Sequence, residues 1–265
     1  MSERRIHPTA FVDRGAELGD DVVVGPYCLI EGDTQIGAGT TLESHAVVKP
    51  GTRIGAECRI FVGAVLGHQP QDARFRGEGN HVIIGNHNVI REYVTIHRAT
   101  IPGADTVIGD HNLLMAYVHV GHDCRIGNHV YIASYSGVSG HVTLEDHVNI
   151  GGMAGFHQFV RVGRRAMIGG MTKVNRDVPP FVMADGHPME LTGLNSVGLR
   201  RSGMPAAERS ALKDCFRLLY RSGLNTAQAL ERIADEVPPV PAVEEMVGFV
   251  RRIYEGKSGR QDQGR

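Results

Sequence analysis

Step through the chain in sixes from Ile6 and an apolar residue keeps returning. Val12, Leu18, Val24 and Ile30 lead on to Leu66, the series resumes at Ile84, Ile90 and Ile96, and it runs again from Ile108 to Val174. Of the 29 positions reached, 26 are apolar, and the exceptions are Asp72, Glu78 and Pro102. A period of six excludes an amphipathic α-helix, whose faces recur every 3.6 residues. It fits short strands separated by turns, with each strand stacked on its equivalent one coil later. Three strands to a coil of 18 residues make a triangular prism, so the spacing predicts a mainly β fold, a parallel β-helix of hexapeptide repeats.

A second register agrees with the first. Four residues after a ladder position the side chain is small, as at Ala10, Ala16, Cys28, Thr40, Ala46, Cys58, Ala64, Cys124, Ser136, Ala154 and Ala166. Three of the four cysteines fall in this inward register and none has CxxC spacing, so they read as packing residues. Net charge is −1, which lacks the basic footprint of a general nucleic-acid binder. The opening MSERRIHPTA has no apolar run behind its arginines, and no stretch approaches the ~18 apolar residues of a membrane span. A cytoplasmic protein without an integral membrane segment is expected.

The ladder breaks twice. Residues 67–83 and 99–107 carry proline, glycine and charge where a coil should continue, and loops expelled from a regular scaffold often carry function. The prism is expected over 1–190. A helical C-terminal region follows over 191–256, with helices at 205–222, Thr226–Glu236 and Ala242–Tyr254, and residues 257–265 form a frayed tail.

Six histidines, His45, His87, His111, His129, His141 and His147, stand three residues after a ladder position, which is turn territory. Others are placed differently. Counting in coils puts His122, His141 and His157 on one face of three successive coils, with His119 near the corner leading into it. Imidazole titrates near neutrality and can take a proton from a hydroxyl, so a histidine general base is the expected chemistry. Asp123 is placed to orient His122, although neighbours on a strand would point to opposite faces. No serine or cysteine beside a base suggests a covalent intermediate. The zinc-binding hexapeptide enzymes pair histidines five apart, a pattern His119 and His122 do not reproduce, and no metal is expected.

The segments IHRAT (96–100), NLLMAYVHVGHDCRIGN (112–128), SGHV (139–142), IGGMAGFHQF (150–159), DVPPF (177–181) and NSVGLRRSG (195–203) closely resemble the acyl-carrier-protein:UDP-N-acetylglucosamine O-acyltransferases of lipid A biosynthesis. The resemblance covers roughly residues 5–256. It implies a left-handed β-helix, a homotrimer with active sites between subunits, and transfer of a 3-hydroxyacyl chain from acyl carrier protein to the 3-hydroxyl of the UDP-sugar. No cofactor is implied beyond the carrier's phosphopantetheine thioester. His122 matches the general base and Gly140 the glycine whose N–H meets the oxyanion. Asp72 and Arg74 match sugar and phosphate contacts, and His97, His119, His141, His157, Gln158, Asn195 and Arg201 match other cleft or nucleotide contacts. Gly170 matches the position that limits acyl length, and a glycine there implies a longer chain.

Departures fall mostly in nucleotide recognition: Arg74 replaces a lysine, Val197 a glutamate, and Ser202 a second arginine. Arg161, Arg164, Arg165, Lys173 and Arg176 cluster where an acidic carrier protein is one partner to expect and a solvated face the other reading. Three rivals stand beside this reading. One is the sister N-acyltransferase, whose extra N-terminal uridine-binding domain has no room before Ile6. The second is a related acyltransferase using a 3-amino sugar or acetyl-CoA, and the third a non-catalytic scaffold.

Overall fold

A computed structural model describes residues 5–73, 75–77 and 79–256. The repeat is realised as three sheets of eleven, nine and eight strands, parallel except for the last strand of the first, and the chain visits them in that order on every coil. Register follows the six-residue count. His119 pairs with Gly137, Gly137 with Gly155 and Gly155 with Lys173, each step being 18 residues. Two steps are longer: Ile60 pairs with Ile90 and Ile90 with Leu114, spacings of 30 and 24. The two loops therefore add 12 and 6 residues, whole multiples of the repeat, which is why the ladder resumes in phase behind each. The strands on either side close in, leaving the described residues 69–73, 75–77 and 79–80, and 98–104, as the expelled segments.

All 26 ladder residues except Ile6 and Val12 are buried, and those two sit at the open N-terminal end of the prism. Each buried aliphatic is worth ~1.5–3 kcal/mol, spread evenly along the axis, so no single one holds the fold. The corners carry the conformational cost. The third residue after each ladder position adopts φ between +51 and +69 at most corners, including Tyr93, Tyr117, Asp123, Tyr135 and His141. Polar residues such as Asp and His tolerate this left-handed region better than most, which accounts for the phase in which the histidines recur. At one corner they stack: His87, His111, His129 and His147 lie with ring centroids 4.7–4.9 Å apart and planes within 7°.

The prism ends in an antiparallel hairpin, Val182–Asp185 against Glu190–Leu194, so its last strand begins at residue 190. Helix α1 (Ser196–Arg201) occupies a segment the sequence leaves as a connection. Helix α2 (Ala206–Tyr220) starts behind Pro205 and buries Leu212, Cys215 and Phe216. Helix α3 (Thr226–Glu236) opens with a capping box between Asn225 and Gln228, and α4 (Pro241–Tyr254) with proline at its first turn. Arginines dock α4 on the prism. Arg164 pairs with Glu245, and Arg161 lies over the Phe249 ring at 4.9 Å while its Nε and Nη2 donate to the fully buried Asp177 carboxylate at 3.0 and 2.9 Å. Two of the five cations read as a carrier-protein contact or a solvated face are thus spent inside the subunit, because their stems lie under α4.

Candidate active site

Both loops leave the prism at the same corner, the one joining the nine-stranded to the eight-stranded sheet. The next coil turns that corner through His122 and Asp123, the one after through Gly140 and His141, and the third through Gln158 and Phe159. The loops therefore fold over the corner that carries the histidine motif. A cavity of about 200 Å³ results, lined by Gln71, His97, His119, Gly121, His122, Ser139, Gly140 and Gln158.

His122 is buried. Its Nδ1 lies 2.7 Å from Asp123 Oδ2, and its Nε2 lies 3.9 Å from Oδ2 of Asp72 on the first loop. The strand-like expectation that neighbours diverge fails because Asp123 has φ +59, which swings its side chain back beside His122. Burial works to raise the Asp123 pKa, but hydrogen bonds from His122 and Thr100 outweigh it and hold the group at about 2. An ionised carboxylate beside Nδ1 selects the tautomer with the proton on Nδ1, leaving Nε2 as the free base on the loop side.

The neighbouring imidazoles are kept neutral. Desolvation lowers the His119 pKa to about 4, and the same cause lowers that of His97. His97 Nδ1 donates to the Gln69 carbonyl at 2.8 Å, which leaves Nε2 as a buried acceptor without a hydrogen-bond partner among the described residues. Such an orphan awaits a donor. His119 Nδ1 faces Thr95 Oγ1 at 2.9 Å. Gly140 is fixed by the histidine above it, since a Cβ there would sit 2.4 Å from His122 Cε1.

The remaining expected residues divide. His141 joins the group from below, its Nε2 3.7 Å from Asp123 Oδ2 and its ring stacked on Phe159 at 4.3 Å. His157 is exposed and does not line the cavity, although its register equivalents Gly121 and Ser139 do. Arg74 lies outside the described residues. Gly170 is exposed at the corner between the eleven- and nine-stranded sheets. Asn195 and Arg201 line a separate cleft of about 860 Å³ over the eleven-stranded sheet, together with Tyr131, His129, His147 and Val197. Both polar ends of Asn195 are engaged within the chain. Its Oδ1 caps α1 by accepting from Gly198 N–H at 3.1 Å, and its Nδ2 donates to the Arg165 carbonyl at 3.0 Å.

Gln71 and Ser139 are lining residues that the sequence alone does not single out, although each adjoins one that it does. Potential ligand atoms of His122, Asp123 and His141 lie within 4.8 Å of one another. Asp123 Oδ2, however, already meets His122 Nδ1 and accepts from Thr100 N–H and Oγ1–H, which is the setting of a hydrogen-bonded carboxylate rather than of a metal ligand.

Comparison with known proteins places this chain in a family. The family model for domain 2 of UDP-N-acetylglucosamine O-acyltransferase matches residues 177–260, and that for the bacterial transferase hexapeptide matches 15–50 and 105–140. The acyl-[acyl-carrier-protein]–UDP-N-acetylglucosamine O-acyltransferase of Thermodesulfovibrio yellowstonii is 46% identical over 252 residues, spanning 95% of this chain and 98% of its own. The chain belongs to this O-acyltransferase family. The enzyme of the same name from Chlorobaculum parvum is 50% identical over 257 residues, spanning 97% of this chain and 96% of its own. Among solved structures, the O-acyltransferase LpxA from Acinetobacter baumannii superposes with a TM-score of 0.91 at 41% identity, covering 96% of this chain and 98% of that one. The Bacteroides fragilis UDP-N-acetylglucosamine acyltransferase also gives 0.91, at 38% identity and 93% and 96% coverage. The family's left-handed β-helix is the architecture of this chain.

Proposed function

We propose that this O-acyltransferase moves an acyl chain from acyl carrier protein to the 3-hydroxyl of UDP-N-acetylglucosamine, the first step of lipid A biosynthesis, with His122 as general base. The arrangement of the imidazole carries the reading: Nδ1 held by Asp123 at 2.7 Å, Nε2 turned toward the cavity and Asp72. His122 Nε2 takes the proton of the sugar hydroxyl, and the oxygen attacks the thioester carbonyl. The Gly140 N–H meets the developing oxyanion, as such charge requires a preorganised donor. Collapse expels the carrier thiolate, which takes back the proton from His122. Asp72 and the orphan Nε2 of His97 offer acceptors to sugar hydroxyls. No cofactor enters the step, because the activated acyl group arrives as a thioester.

We assign the active unit as a homotrimer with sites between subunits. In one chain the His122 cavity and the Asn195–Arg201 cleft lie on different faces, so a sugar nucleotide spanning both needs a second copy. The corner between the eleven- and nine-stranded sheets supplies a ridge for such contact, with Tyr93, Tyr117 and Tyr135 stacked 5.0–5.1 Å apart and half exposed. We place the enzyme in the cytoplasm. Its four free, buried cysteines suit a reducing compartment, and among the described residues no helix is long and apolar enough to cross a membrane.

The acyl chain has a path. Gly137 and Gly155 hold outward positions of the nine-stranded sheet in register between His119 and Lys173, and a Cβ at either would meet nothing within 4 Å. Glycine weakens a strand and often marks close approach of another group. This bare strip leads from the His122 corner toward the opposite corner, where Met153 and Met171 are 60% and 72% exposed beside Gly170. Three coils separate the two ends, about 14 Å at the ~4.8 Å strand spacing, which suits a long chain. Mass spectrometry of the product from 3-hydroxyacyl carrier proteins of graded length, with UDP-N-acetylglucosamine or its 3-amino analogue, tests the reading. An O-acylated sugar nucleotide supports it; acylation of the amino sugar alone overturns it.

A further inference from the structure

Thr100 is the last residue of the IHRAT segment and sits on the second expelled loop. It gives two hydrogen bonds to one oxygen: its N–H at 3.0 Å and its Oγ1–H at 2.7 Å both reach Asp123 Oδ2, the atom that also faces His122 Nδ1. The Ile101 N–H approaches Oδ1 at 3.4 Å. The loop is itself pinned. Asn80, buried at the end of the first loop, donates through Nδ2 to the Ala99 carbonyl at 2.9 Å and accepts at Oδ1 from the Gly103 N–H at 3.1 Å.

Two imidazoles compete for the oxygen that Thr100 holds. His122 Nδ1 is 2.7 Å away and His141 Nε2 is 3.7 Å away, and the two rings stand edge to face with centroids 5.0 Å apart. A carboxylate free to rotate about its side-chain torsions could serve either. We propose that Thr100, braced by Asn80, is a positioning residue for acyl transfer: its paired donors lock the Asp123 carboxylate toward His122, fixing that ring's tautomer and aim. The second loop thereby acquires a task that its six added residues alone do not explain. The proposal rests on His122 acting as the base.

The test uses the full-length enzyme with acyl carrier protein thioester and UDP-N-acetylglucosamine. Thr100→Val removes one of the two donors and keeps the backbone one; Thr100→Ser restores the hydroxyl. The valine variant is expected to lose about tenfold or more in kcat, since small misplacements at a reacting centre are costly, with KM for the sugar nucleotide little changed. It should also lose or shift the downfield Nδ1 proton resonance of His122, and Thr100→Ser should recover both. Asn80→Ala should act in the same direction and combine with Thr100→Val less than additively. If the valine variant does not keep the wild-type Tm, Thr100→Ala carries the same comparison. Wild-type kcat and an unmoved Nδ1 resonance in Thr100→Val overturn the proposal, as does a serine variant no better than valine. If His122→Ala is inactive in the same assay, that failure is confined to Thr100; if His122→Ala is active, the base itself is misassigned.

Discussion

His122 and Asp123 are adjacent in the chain, and their side chains meet, Nδ1 to Oδ2 at 2.7 Å, because the aspartate turns the corner with φ +59. The corner geometry that the repeat supplies brings the two side chains within reach, and the Thr100 hydrogen bonds hold Asp123 Oδ2 there. Loss of the proposed base should therefore be separable from loss of the scaffold. His122→Ala is expected to cut acyl transfer by at least ~10²-fold while Tm and the far-ultraviolet spectrum stay at wild-type values. Retained turnover in that variant would overturn the mechanism.

Gly140 stands one coil below His122, and its hydrogen occupies the place where a methyl would lie 2.4 Å from Cε1 and 2.5 Å from Nε2 of the ring. Gly140→Ala must therefore displace the imidazole. Steady-state kinetics should show kcat falling by about tenfold or more, with thermal stability lowered only slightly because the ring can move toward the cavity. An alanine variant with wild-type kcat would show that ring position and this peptide are not coupled.

Acid should loosen the site through His119. Its folded pKa, held at about 4 by desolvation, is below the unfolded value of 6.5, so the unfolded chain binds more protons between these limits. Stability from this group is complete above pH 6.5 and declines as pH falls toward 4. Asp123 acts lower down: its stabilisation is complete above the ordinary aspartate value of 3.8 and fades toward about 2. Melting curves from pH 7 to 4 should accordingly be less steep for His119→Gln than for wild type. Parallel curves would show that His119 does not set this slope.

The ion pairs of the two arginines that meet α4 should differ sharply. Asp177 is fully buried at its side chain and receives Arg161 through three nitrogens, so Asp177→Ala takes the carboxylate away from a largely covered guanidinium and is expected to cost about 3–5 kcal/mol. Arg164 and Glu245 are 36% and 29% exposed, and Glu245→Ala should cost only about 0–1 kcal/mol. Denaturant titration of both variants checks the ranking, and equal losses would contradict it.

How much of the molecule is legible in its sequence follows from the range of each signal. The ladder is a local period, so it discloses the prism, the inward cysteines and the coil spacing that links 122 to 140 and 158. The two breaks are equally plain, and because their added lengths are multiples of six they leave the phase intact on both sides. What the loops do once expelled is not periodic. Nothing in IHRAT says that Thr100 turns back onto Asp123, because that depends on Asn80 holding a loop 19 residues away. The coil count puts His157 in register with Gly121 and Ser139, which line the cavity, but it does not say which way a side chain turns at the corner, and that of His157 is exposed. The arginine cluster reads as free charge until α4 is seen lying across it. The Asn195–Arg201 cleft also escapes a one-chain reading, since it faces away from the residues it is expected to serve.

The proposed acyl path makes the sharpest demand on the sequence, because it explains residues by what they lack. Gly137 and Gly155 have no positive φ to require glycine, and a Cβ added at either would have no neighbour within 4 Å, yet each sits in a strand where β-branched residues are favoured. For folding alone, Gly137→Val and Gly155→Val should be neutral or raise Tm. If the strip is the floor beneath the acyl chain, either valine intrudes on that chain beyond its first carbons. Turnover with long 3-hydroxyacyl carrier proteins should then fall by several-fold or more relative to short ones, while KM for the sugar nucleotide holds. Paired kcat/KM measurements on short and long donors decide it: an unchanged ratio in both variants places the acyl chain elsewhere on the prism.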